Sequence, residues 1–245
     1  MSDEIKESDV KKAKIDTYGS DSAKPKLYSY WRSSCSWRVR LALELKDLEY
    51  EIIPVHLVKN GGEQKSGDYA TVNPMQQVPT LIMKGNALTQ SVAIIEYLEE
   101  ATDSKTKLLC EDPILRAKTR ALVELINSGI QPIQNLAVLN HLKCVANVSE
   151  DAKPKVAVDW SNHFISVGFE ALEKELVKIH EKTPGDYCMG ENISMADIYL
   201  VPQVYNANRF KVDMSKFPMI QKIANHLSAL PAFMKAHPDA QPDAE

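Results

Sequence analysis

Apolar and polar positions alternate with two different periods in the first hundred residues. Leu27, Tyr28 and Tyr30 form a short β-favouring run that stops at a serine-rich turn before Trp37. This pattern predicts a strand feeding a helix. Beyond the turn, Val39, Ala42, Leu43 and Lys46 follow helical spacing, and Leu41 and Leu45 widen the apolar face. The β-branched run from Tyr50 to Val55 predicts a second strand. A polar stretch with Gly61, Gly62 and Gly67 comes next. The segment Asn73-Pro74-Met75-Gln76-Gln77-Val78-Pro79-Thr80 then leads into Leu81-Ile82-Met83, and Gly85-Asn86 predicts a hairpin turn. Ser91 opens a helix whose Val92, Ile95 and Leu98, with Ala93, Ile94 and Tyr97, bury most of its circumference. The order βαβ then ββα fits a small thioredoxin-like sheet, one parallel crossover joined to one antiparallel hairpin.

From Ala101 to Pro113 the chain turns polar and reads as a linker. Everything beyond it has helical period. Residues 114–145 carry that period with an interruption at Pro132, where a kink or restart is expected. Residues 155–182 repeat it through Val158, Phe164, Ile165, Phe169, Leu172, Leu176 and Ile179. Ser194-Met195-Ala196-Asp197 is a capping-box start with Asp in the place of Glu or Gln, and Pro218 starts a further short helix. The expected organisation is a flexible tail over 1–24, a thioredoxin-like domain over 25–103, a linker over 104–112 and an all-helical domain over 113–245. In class this is α/β plus all-α.

Composition narrows the function classes. With 29 basic and 33 acidic residues in 245, bulk electrostatics offers nothing to nucleic acid. Cys35, Cys110, Cys144 and Cys188 are widely spaced, show no metal-ligand pairing and follow no secretory signal, which fits a reduced cytoplasmic setting. No apolar run approaches the roughly 20 residues of a membrane span.

The chemistry concentrates in Ser33-Ser34-Cys35-Ser36-Trp37-Arg38. Three hydroxyls and a thiol stand beside the first N–H groups of a helix, where the dipole favours an anion such as a thiolate. Ordinary thiols have a pKa of about 8.5. A depression of ~2 units would require roughly 2.7 kcal/mol of preferential thiolate stabilisation. Simple capping by one serine accounts for the same residues. Val78-Pro79 suggests an extended residue whose backbone can pair with a peptide-like ligand, and Gln90-Ser91 places a hydroxyl at a second helix start, suited to a carboxylate.

These segments, together with Ile130-Gln131-Pro132-Ile133-Gln134-Asn135-Leu136, are similar to those of the zeta-class glutathione transferases, the maleylacetoacetate isomerases. The similarity runs from about Pro25 to Asp243. It implies the two-domain glutathione transferase fold, a homodimer, glutathione as cofactor, and isomerisation of maleylacetoacetate to fumarylacetoacetate in tyrosine and phenylalanine breakdown. Activity on α-haloacids is implied as a secondary reaction. By the resemblance Ser33 bonds the glutathione sulfur, with Ser34 and Cys35 beside it and Arg38 ordering the site. Ser36 and Trp37 belong to the same glutathione site. The backbone of Val78 pairs with the tripeptide, Gln64 reaches its glycine end, and Gln90 and Ser91 hold its γ-glutamyl end. Gln131 and Asn135, four apart and so expected on one helix face, lie with Leu136 and Ala137 over the cleft. Arg209 binds the substrate carboxylate. Ala137 stands where relatives often have serine, and residues 143–155 form a longer segment than usual.

Three other readings remain open. A transferase of another class would use Tyr28 or Tyr30 as the sulfur's donor. A disulfide-exchange enzyme would use Cys35 as nucleophile. A non-catalytic interaction module would use neither.

Overall fold

In the computed structural model, which describes residues 24–245, four strands and nine α-helices are joined by short 3₁₀ turns. The tail expected over 1–24 lies, apart from Lys24, outside the described residues. Strands β1 (Lys26–Ser29), β2 (Glu51–Pro54), β3 (Thr80–Met83) and β4 (Asn86–Thr89) form one sheet in the order β2-β1-β3-β4. The β1–β2 pair is parallel, with Leu27 opposite Ile52, and both β1–β3 and β3–β4 are antiparallel. The parallel pair requires a crossover, supplied by helix α1 (Ser34–Leu45); a short helix α2 (Gly67–Val72) follows β2, and α3 (Ser91–Ala101) follows β4. Helix α1 packs on α3, and Leu27, Leu41, Leu43, Leu81, Ile94, Ile95 and Leu98 are wholly removed from solvent.

The hairpin differs by one residue from the expectation. Its loop is Lys84-Gly85, with φ of 48° and 69°, and Asn86 is already paired with Met83. A two-residue loop with positive φ at both positions matches the strand twist. Asn86 instead supports the turn from outside, donating from Nδ2 to Lys84 O at 2.6 Å.

The remaining elements are α4 (Pro113–Asn127), α5 (Leu136–Val145), α6 (Lys153–Lys182), α7 (Met195–Arg209), α8 (Pro218–Ser228) and α9 (Pro231–Ala236). Asp112 caps α4, accepting from Leu115 N–H at 2.8 Å. The predicted break at Pro132 comes earlier: α4 ends at Asn127, and Pro132 sits in a 3₁₀ turn, Gln131–Gln134. Gly168 on α6 lets Ile130 close in, since a Cβ there would stand 2.3 Å from Ile130 Cγ1. Helix α8 has no side-chain cap of its own. Glu173 of α6 serves instead, accepting from Met219 and Ile220 N–H at 2.8 and 2.9 Å. Helix α7 packs against both α4 and α8.

The chain divides into a unit of residues 104–234 and a unit that joins 235–245 to the sheet-bearing residues up to 103. The sequence reading carried the helical domain through to 245. The last eleven residues instead bond to the first unit, where Arg40 Nε donates to Ala236 O at 3.1 Å and Trp31 N–H donates to Asp243 Oδ2 at 2.9 Å.

Candidate functional site

The serine turn leaves β1 and becomes the start of α1. Ser33 is the N-cap, with φ −71° and ψ 117°, and its Oγ accepts from Ser36 N–H at 3.2 Å. The capping account of Ser33 is therefore realised. It does not exhaust the hydroxyl, which accepts with a lone pair and keeps its own proton to donate. Ser34, Ser36 and Trp37 are buried and Cys35 is half-buried. No acidic residue occupies the first turn, so the positive end of the helix dipole is uncompensated from within the helix.

Arg38 is completely buried, and its Nη1 donates to Cys35 Sγ at 3.7 Å and to Ser91 Oγ at 3.5 Å. One guanidinium thus links the starts of α1 and α3, joining the serine turn to the Gln90-Ser91 pair. Gln90 caps α3 with φ 69° and ψ 119° and has an exposed side chain. A left-handed non-glycine residue costs on the order of 1–3 kcal/mol, and such residues cluster at binding sites.

The Val78-Pro79 peptide bond is cis. Val78 stands just before the ladder, whose first β3–β4 pair is Thr80 with Thr89. The approach to it is fixed by buried polar groups: Asn73 Nδ2 and Tyr69 Oη both donate to Gln77 O at 2.7 Å. Gln64, half-buried in the 3₁₀ turn Glu63–Lys65, donates from Nε2 to Leu57 O at 3.4 Å.

In the helical unit Gln131 and Asn135 do not share a helix face, contrary to the spacing argument. Gln131 begins the 3₁₀ turn, while Asn135 is the N-cap of α5, its Oδ1 accepting from Ala137 N–H at 3.0 Å. The proline and the asparagine cap together stop one helix and start another. Leu136 is the first residue of α5 and Ala137 is exposed. Arg209 is the last residue of α7, exposed, with its guanidinium 5.2 Å from the Phe210 ring centroid. Asn162 fixes that helix end by donating from Nδ2 to Phe210 O and Lys211 O at 3.1 and 2.8 Å. A surface groove of about 420 Å³ lined by Leu125, Val167, Ala171 and Lys174 contains none of the predicted site residues.

Arg40 was missed by the sequence reading. Its guanidinium is fully buried and donates to Ser29 Oγ (3.0 Å), Trp31 O (2.9 Å) and Tyr30 O (3.4 Å) as well as to Ala236 O. Burial pushes its pKa down to about 10, so it stays cationic at neutral pH. The available signal was a second cation two positions after Arg38, amid the buried Val39, Leu41, Ala42 and Leu43. A cation in that position needs several acceptors at once. Among the described residues no cluster of His, Cys, Asp or Glu could hold a metal ion, and no helix is long and apolar enough to cross a membrane.

A thioredoxin-like sheet unit with a hydroxyl-rich helix start, followed by an all-helical unit, defines the glutathione transferase class. Residues 23–100 match the family model of the glutathione S-transferase N-terminal domain, and residues 140–231 match that of the C-terminal domain. Maleylacetoacetate isomerase of Rattus norvegicus is 51% identical over 220 residues, covering 90% of this chain and 95% of the relative. A bacterial maleyl pyruvate isomerase, described as a zeta-class glutathione S-transferase, superposes with a TM-score of 0.83 at 39% identity, covering 90% of this chain and all of the other. Maleylacetoacetate isomerase from Anaeromyxobacter dehalogenans, with glutathione bound in its active site, gives a TM-score of 0.77 at 42% identity, covering 91% and 98%. The chain belongs to the glutathione transferase family, in its zeta class of maleylacetoacetate isomerases.

Proposed function

We propose that this protein isomerises maleylacetoacetate to fumarylacetoacetate with glutathione as cofactor, in tyrosine and phenylalanine breakdown. The observation that carries the reading is the start of α1, where Ser33, Ser34 and Cys35 stand at the first helical turn with no first-turn acid and a fully buried Arg38 on the same helix. That donor set fits a thiolate. Bound glutathione supplies a sulfur whose reversible addition turns the cis double bond into a rotatable single bond and whose departure leaves the trans isomer.

The protein's own residues then have three tasks. Ser33 donates its hydroxyl proton to the sulfur, helped by the α1 N–H groups, and so favours the ionised form. Val78, Gln64, Gln90 and Ser91 hold the tripeptide's backbone and two ends, which fixes the sulfur relative to the alkene. Cationic side chains offset the substrate carboxylates and the negative charge that builds on its carbonyl oxygen. Residues 25–103 serve glutathione and 113–234 the substrate, joined by 104–112, and Gln131, Asn135, Leu136 and Ala137 of the helical unit are assigned to the glutathione site. A cytoplasmic homodimer and a secondary reaction with α-haloacids complete the reading. Incubating the purified protein with maleylacetoacetate, with and without glutathione, tests it. Trans product should form only when glutathione is present, and glutathione should be recovered unchanged.

Arg209 is assigned to a substrate carboxylate because a guanidinium binds it through two parallel bonds that lysine cannot copy. Arg209→Ala should raise the apparent KM for the dicarboxylate several-fold, with glutathione affinity and Tm near wild type. Earlier unfolding with equal losses on charged and uncharged substrates would instead make Arg209 a structural residue.

A further inference from the structure

The last eleven residues meet the sheet unit at three places, each belonging to a different part of the glutathione site. Asp243 Oδ2 accepts from Trp31 N–H at 2.9 Å, across 212 positions of sequence and two residues before Ser33. Arg40 grips the same turn and the strap together, through Trp31 O at 2.9 Å and Ala236 O at 3.1 Å. The His237 ring meets Trp37 edge-on with centroids 5.2 Å apart, and Gln241 Nε2 donates to Lys235 O (3.0 Å) and His237 O (2.8 Å), which keeps the strap folded.

The second place is the loop that carries Gln64. Glu245 pairs with Lys59 and lies 3.4 Å from His56 Nε2. His56 Nδ1 accepts from Val58 and Lys59 N–H at 3.3 and 2.9 Å, which fixes the ring within this loop. His56 N–H in turn donates to Glu63 Oε2 at 2.7 Å, beside Gln64. The third place is the apolar cluster of Tyr30, Trp31, Val55, Tyr69 and Val78, against which Ala244 packs.

We propose that residues 235–245 are a positioning element of the glutathione site, in which Asp243 and Glu245 set the Ser33 turn, the Gln64 loop and Val78 relative to one another. The inference rests on the glutathione reading above. The three segments lie outside the regular sheet ladder in separate stretches of the chain, and such connecting segments are more mobile than the elements they join. A ligand that must meet all three binds only the fraction of molecules with the segments in place, so its apparent Kd rises as that fraction falls. Tying them to one strap raises the fraction without touching the ligand.

The test is isothermal titration of glutathione into the full chain, Asp243→Ala, Asp243→Asn and Glu245→Ala, with steady-state kinetics alongside. Asp243→Ala should raise Kd and the glutathione KM by about five- to tenfold, while kcat at saturating glutathione stays within about twofold. Asp243→Asn, whose Oδ1 still accepts from Trp31 N–H, should restore binding to within about twofold. A folded Asp243→Ala that binds glutathione like the wild type, whatever its Tm, overturns the proposal. Should Asp243→Ala not fold, Glu245→Ala carries the test: a two- to threefold rise in Kd, roughly, supports the strap and no rise overturns it. A wild-type chain that does not bind glutathione would fail at the first titration, overturning the functional reading and this inference with it.

Discussion

Ser33→Ala should lower glutathione-dependent isomerisation by about 100-fold at saturating glutathione, the loss typical of removing one preorganised donor from a developing or bound anion. Cys35→Ala should cost far less, because a thiol is a weak donor. The geometry supports the distinction. Ser33 Oγ is oriented by accepting from Ser36 N–H, which leaves its own proton available to donate. Cys35 Sγ is instead an acceptor for Arg38 Nη1. Losing the α1 cap costs about 1 kcal/mol as well, or a few degrees of Tm for a chain of this size, which leaves the variant folded at assay temperature. Steady-state rates for both variants, with melting curves in parallel, check the assignment. Equal or reversed losses would transfer the sulfur contact to Cys35 and revive the disulfide-exchange reading.

The alternation of strand and helix periods before residue 100 was readable because each element buries one continuous face, and burial leaves a period in the sequence. Leu27 and Leu81 on the sheet and Ile94, Ile95 and Leu98 on α3 are all fully buried. Details set by backbone conformation left weaker traces. Nothing in Lys84 announces a positive φ, so the sequence pattern puts the turn one residue late. Four-residue spacing suggests a shared face for Asn135, but asparagine after a proline turn is equally a cap. Arg40 and the strap were illegible for a different reason. Arg40's partners Tyr30, Trp31 and Ala236 converge only after folding, one of them from 196 residues away. A Pro- and Asp-rich terminus reads locally as loose chain, whatever it later touches.

Asp197→Ala should be the most damaging single change to stability. Asp197 is wholly buried, and its carboxylate accepts three bonds of 2.7 Å: from Cys188 N–H, Ser194 N–H and Ser194 Oγ–H. Burial raises its pKa and the donors from Cys188 and Ser194 pull it back down, so the bonds are what make a carboxyl tolerable there. Removing it strands two buried backbone donors, at about 1–3 kcal/mol each. A net loss of about 4 kcal/mol corresponds to a Tm drop of roughly 10 °C in a protein of this size. The damage should spread beyond one cap. Helix α7 packs on α4 and α8 and ends at Arg209, so a frayed start loosens the helix that presents the candidate substrate contact. Asp197→Asn separates the contributions. It keeps one acceptor but turns an amide NH₂ toward a donor, and should recover less than half of the lost stability. Thermal melts of the two variants decide the matter, and an Asp197→Ala protein melting within about 3 °C of wild type would mean that the three bonds are readily replaced.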